Sequence, residues 1–130
     1  MSHAIDNARA WLKSVHEMVS AYDDAIASND GNEQDEKRDA IMESPLSLRV
    51  RGGWYNPGDE DKGGNPTEYE LLLSTGGPAL RLVGELNDYC EPTSARLEYQ
   101  DWGTPWIALD TSVADDRALM TFAGVFYFGE

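Results

Sequence analysis

The chain has 130 residues, of which 41% are hydrophobic and 26% charged, and twenty-four acids against ten bases give a net charge of −14. Length and apolar content suit one domain spanning 1–130 with a sizeable core, and they exclude wholesale disorder. The charge excludes direct binding of nucleic acid or of an anionic membrane and favours partners with basic surfaces.

Apolar residues recur at Ile5, Ala8, Leu12, Val15, Val19, Tyr22 and Ile26 in steps of three and four, which predicts a long amphipathic N-terminal helix. Trp11, Met18 and Ala25 widen that stripe, as suits a helix lying on a sheet. Asn29-Asp30-Gly31 is expected to end the helix, as a turn containing a residue that tolerates positive φ. A short acidic second helix is expected from about Glu33 to Glu43, stopped by Pro45, with Ile41 and Met42 as its strong apolar residues.

After Pro45 the period becomes two. Leu46, Leu48 and Val50 alternate with Ser47, Arg49 and Arg51, and Tyr69, Leu71 and Leu73 alternate with Glu68, Glu70 and Leu72. Leu80, Leu82 and Leu86 alternate in the same way, as do Ala95, Leu97 and Tyr99. Four strands follow, each expected to have a buried and a wet face, with Glu68, Glu70, Glu85 and Glu98 matched against Arg49, Arg51, Arg81 and Arg96 on the wet one. The short glycine-bearing link at 74–78 predicts an antiparallel hairpin, and the 52–66 loop is long and rich in turn residues. Ser112-x-x-Asp115 is a capping box ahead of Ala118, Leu119, Phe122 and Phe126, so a C-terminal helix is expected. The whole reads as an α+β domain: a mostly antiparallel four-stranded sheet with the long N-terminal helix, the short acidic helix and the C-terminal helix packed on it.

Catalytic material is sparse. His3 and His16 are the two histidines, and His16 flanks the apolar stripe, where a boundary role is expected. Cys90, the one cysteine, excludes an internal disulfide and fits a reducing compartment; it sits among acids, a poor setting for a nucleophilic thiolate. Asp59-Glu60-Asp61 resembles a calcium loop only superficially, since the fifth position counted from Asp59 is Gly63, which leaves one ligand missing, and the twelfth is Glu70, inside a predicted strand. No cofactor and no metal are expected. Trp102 and Trp106 around a Gly-Thr-Pro bend are expected to close the core, with an exposed hot spot as the alternative, whereas Trp54-Tyr55 in the long loop fits partner contact as well as packing.

Acids concentrate between Asp23 and Glu43, eight against the two bases Lys37 and Arg38, a net of 2 − 8 = −6. A solvated helix pair or a salt-adapted surface would need no partner. A surface competing for a DNA-binding groove would place carboxylates where phosphates normally sit. The partner-binding candidates are therefore Asp23, Asp24, Asp30, Glu33, Asp35, Glu36 and Asp39 on the helices, and Trp54, Tyr55, Asp59, Glu60 and Asp61 in the loop.

The segments Glu68–Pro78, Arg81–Leu86 and Ala95–Trp106 together resemble small acidic proteins of phages and mobile elements. Such proteins include anti-CRISPR and antirestriction inhibitors. The resemblance implies a non-enzymatic inhibitor of a host nucleic-acid-targeting defence complex, with a CRISPR-Cas effector as the expected partner and the bacterial host's cytoplasm as the place of action. It brings no site residue with it. An acidic adaptor or immunity-type binding module is the alternative, and a small hydrolase built on Asp and Glu is the reading from another class.

Overall fold

A computed structural model describes residues 3–52, 57, 66–75, 79–101 and 104–128. Helix α1 spans His3–Ser28, α2 Gly31–Glu43 and α3 Val113–Gly124; the strands are β1 Ser47–Gly52, β2 Pro66–Ser74, β3 Ala79–Glu85, β4 Arg96–Gln100 and β5 Ile107–Ala108. The strands form an antiparallel meander in the order β1-β2-β3-β4-β5. The α+β class is as expected from the sequence. The fifth strand is an addition, two residues long and too short for any periodicity to reveal.

Local chemistry sets the helix boundaries. At the α1–α2 junction the left-handed residue is Asn29, with φ 60°. Asp30 then caps α2, its Oδ1 accepting the backbone N–H groups of Asn32 at 3.1 Å and Glu33 at 3.3 Å, so the helix starts at Gly31, two residues earlier than expected. At the other end Ser44 turns back on the Ile41 carbonyl through both its backbone N–H and its hydroxyl, and Pro45 follows. The capping box of α3 is present in full, with Ser112 Oγ accepting the Asp115 N–H and the Asp115 carboxylate accepting the Ser112 N–H.

The core lies between one sheet face and α1 with α3. Val15, Leu119 and Phe122 from the helices meet Leu71, Leu80, Leu82 and Leu97 from the strands, all fully buried. The chain leaves α3 at Val125 and returns Phe128 to the core, where its ring lies 4.7 Å from that of Tyr69. Tyr69 lies beside Gly84 of β3 and donates its hydroxyl to the Ser94 carbonyl at 2.7 Å; burial raises its pKa further above the ordinary tyrosine range.

Two expectations about the faces need correcting. Leu48 and Val50 stand opposite Leu71 and Tyr69, hence on the helix-covered side of the sheet, yet they are 41% and 42% exposed. The cause is coverage: α1 lies over β3 and β4 and α3 over β4, so the helix layer stops short of β1. Trp106 does not close the core either. It stands on the opposite side of the sheet with the Arg81 guanidinium 4.2 Å above its ring. Trp102 lies outside the described residues.

Gly84 offers a direct check on this packing. A Cβ there would fall 2.0 Å from the Ser94 carbonyl oxygen and 2.8 Å from the Tyr69 ring. Gly84→Ala must therefore push the β3–β4 connection away from Tyr69, and urea unfolding should show a loss of about 3 kcal/mol, at the upper end of overpacking costs. A change below about 0.5 kcal/mol, the scale of ordinary surface substitutions, would show that this close approach is not a constraint.

Candidate functional site

The uncovered sheet face collects four of the ten bases and four of the twenty-four acids, a neutral set. Cross-strand register places Arg49 opposite Glu70, Arg51 opposite Glu68, and Arg81 opposite Glu98. The contacts run further than pairs. Glu70 accepts from Arg49 on β1 at 2.6 Å and from Arg81 on β3 at 2.9 Å, and Arg81 also reaches Glu98 on β4 at 2.7 Å. Arg96 bonds Glu98 at 2.9 Å, and Arg51 pairs with Glu68. Glu85 stands across from Glu68 instead of matching an arginine in register.

Glu98 shows the energetics most clearly, because it is 8% exposed although it belongs to the wet face. Burial alone would raise its pKa. The hydrogen bonds from Arg96 and Arg81 outweigh that and hold it below the usual carboxylate range. The Arg51 hydrogen bond lowers Glu68 in the same sense. A depression of about 340 Å³ lies on this face, lined by Val83 and by the charged side chains of the face other than Glu98. Its arginines are largely occupied by the ion pairs, so it resembles a braced surface more than a substrate pocket.

His16 is not simply a boundary residue. Its Nε2 lies 2.7 Å from Oδ1 of Asp115, tying α1 to the first turn of α3. Asp115 is held low first by the Ser112 backbone N–H and then by His16. Histidine, carboxylate and serine are thus neighbours, but in the wrong order for nucleophilic catalysis. A serine nucleophile bonds to the base, whereas here the histidine bonds the carboxylate and Ser112 Oγ caps a helix. Cys90 lies in a tight turn with φ 62°, its N–H bonded to the Asn87 carbonyl. Among the described residues no three histidine, cysteine or carboxylate groups come together to hold a metal ion, and no helix is long and apolar enough to cross a membrane.

The helical acids are arranged differently from those on the sheet. Asp23, Asp24, Asp30, Asp35, Glu36 and Asp39 are exposed, and Glu33 is half-buried. Asp30 has a structural role as the α2 cap. Asp35, Glu36 and Asp39 fall on the side of α2 opposite Ile41, its one buried residue, and Glu43, four residues past Asp39, continues the row. From Asp35 to Glu43 the row covers about 12 Å of helix axis at 1.5 Å per residue. The i,i+4 spacing was the signal that could have added Glu43 to the sequence candidates. Local neutralisation is partial: Arg38 bonds Asp35 at 3.0 Å and Lys37 stands 4.0 Å from Glu36, which leaves the row a net negative charge. Trp54, Tyr55, Asp59, Glu60 and Asp61 lie outside the described residues.

Compared with family models, curated proteins and solved structures, the chain matches none.

The depressed carboxylates fix the sign of an acid response. A group whose folded pKa lies below its unfolded value stabilises the fold above the unfolded pKa and loses that contribution as pH falls through the folded one. For Glu98 and Glu68, ordinarily 4.5, and Asp115, ordinarily 3.8, the loss begins near those values and continues below them. Stability measured by urea unfolding should fall as pH drops below about 4.5. Glu98→Ala should cost about 2 kcal/mol at neutral pH, because Arg81 and Arg96 both lose a charge-assisted partner and Arg81 keeps only Glu70, and should reduce the acid response. A flat profile in the parent protein between neutrality and pH 3 would contradict this account.

Proposed function

We propose that the chain is a non-enzymatic binding protein that occupies a basic surface of a nucleic-acid-handling complex, with a CRISPR-Cas effector as the target class. The observation that carries this reading is the row Asp35, Glu36, Asp39 and Glu43 on a helix that buries only Ile41. Such a helix adds little to the core. Asp35, Asp39 and Glu43 repel one another at i,i+4 spacing, and Glu43 sits in a last turn that holds no base, where the macrodipole is negative, so these acids do little for the helix itself. Selection for a partner accounts for that arrangement better than selection for the fold does.

The spacing supports phosphate mimicry in particular. Four carboxylates over about 12 Å match the roughly four phosphates carried by the same length of one DNA strand at about 3.4 Å per charge. Lysines and arginines that normally hold phosphates would find charge-assisted hydrogen bonds to carboxylates instead. Asp23 and Asp24, exposed near the end of α1, add to the negative charge that would steer encounter with a basic target. The outer sheet face is neutral, so attraction to a basic surface is concentrated on the rest of the molecule.

Competition separates mimicry from acidity in general. The complex retained from host lysate by the tagged protein should be saturated with the protein and then titrated with its duplex DNA at fixed salt. The expected result is mutual exclusion, with the apparent DNA affinity falling in proportion to added protein. Undiminished DNA binding by the saturated complex would rule out mimicry and leave an acidic adaptor docking elsewhere.

A further inference from the structure

We infer that the open edge of β1 is a second docking surface, which accepts by strand addition an extended partner segment in which acidic and apolar residues alternate. This stands apart from the acidic row on α2 and does not depend on it.

Among the described residues β1 is the terminal strand of the sheet, hydrogen-bonded to β2 on one side. All six of its residues are exposed. A long exposed edge with apolar side chains is a template for another strand, which native proteins ordinarily cover or interrupt. Here the two faces of the edge carry distinct information. On the helix side Leu46, Leu48 and Val50 form an uncovered apolar row, 62%, 41% and 42% exposed. On the other side Arg49 and Arg51 project with side chains 73% and 79% exposed.

Charge complementarity names the occupant. Across the outer face the charges alternate from strand to strand, Arg49 on β1, Glu70 on β2, Arg81 on β3 and Glu98 on β4. Each interior member touches two opposite charges, whereas the series ends at the β1 edge in a cation with one such neighbour, Glu70. Continuing the alternation places a carboxylate beside Arg49. The chain already contains the matching pattern in β2, where Glu68 and Glu70 face Arg51 and Arg49 while Tyr69 and Leu71 face Val50 and Leu48. A partner strand of the same acid–apolar alternation repeats that fit on the open side, with main-chain hydrogen bonds supplying affinity and the two rows supplying specificity.

A second copy of the chain is a poorer occupant. Antiparallel self-pairing centred on Arg49 or Val50 sets arginine opposite arginine, and it joins two molecules each of net charge −14. An acidic peptide meets the same overall charge. However, directly opposed cross-strand side chains lie about 5 Å apart, inside the screening length of about 8 Å, while more distant acids are damped.

The test uses the intact protein and two soluble hexapeptides, one alternating Glu and Val and the other Lys and Val, with amide hydrogen exchange followed at residues 47–52. The Glu-Val peptide should slow exchange of the outward-facing β1 amides by about tenfold or more, and the Lys-Val peptide should leave them unchanged. Replacing both Arg49 and Arg51 with Gln should weaken the Glu-Val peptide by about tenfold or more, as expected when two charge-assisted contacts are lost. If that variant does not fold, the comparison of the two peptides on the parent protein still decides. Equal protection by both peptides, or by neither, would overturn the proposal. So would sedimentation showing that β1 is already covered by a second copy.

Discussion

Glu98 is a buried carboxylate on the side of the sheet that no helix covers, and much of the molecule's organisation follows from the need to neutralise it. Left alone in that position it would cost several kcal/mol, so Arg81 and Arg96 must both be in place. Arg81 then reaches Glu70, which in turn holds Arg49, and the result is a run of charges stitching β1 through β4. A one-residue slip in any strand would turn its leucines outward and drive its charges into the core. The ion series and the leucine rows therefore specify the same register from opposite sides.

This arrangement also determines where the net charge resides. Four arginines are taken up on the outer face, leaving six bases against twenty acids for the rest of the chain. The −14 is therefore carried by the helices, turns and loops, and its densest stretch is the α1–α2 region. A helix that buries Ile41 alone and gathers carboxylates on its far side contributes surface more than stability. The molecule so divides into a scaffold, an acidic helix face and a basic-edged strand. The proposed partners follow that division, basic for the first surface and acidic-apolar for the second.

Much of this was legible in the sequence wherever a pattern repeats. Seven apolar residues at steps of three and four announce α1, alternation announces β1 through β4, and Ser112 with Asp115 announces the start of α3. What periodicity could not supply is what lies on top of a face. Leu48 and Val50 alternate as buried residues should, but the helix layer ends over β3 and β4 and leaves them open. Glu98 alternates as an exposed residue should, but two guanidinium groups enclose it. Contacts between distant segments were equally out of reach: His16 meets Asp115 across 99 positions, and Trp106 meets Arg81 instead of the core. On α2 the acidic composition was plain and the i,i+4 row through Glu43 could be read from spacing, but the role of Asp30 as the cap required the observed start of the helix.

The central claim is that the α2 row serves a partner and not the fold. The most direct measurement changes Asp35 and Asp39 to Asn and Glu36 and Glu43 to Gln together, then compares target affinity and unfolding midpoint with the parent at the same salt. The account predicts an affinity loss of about tenfold or more, as several charge-assisted contacts disappear. It also predicts a midpoint that is unchanged or raised, because the i,i+4 repulsions along the row are relieved and the last turn loses Glu43, which opposes its dipole. Undiminished affinity in a well-folded variant would contradict it and return the row to an ordinary solvated surface.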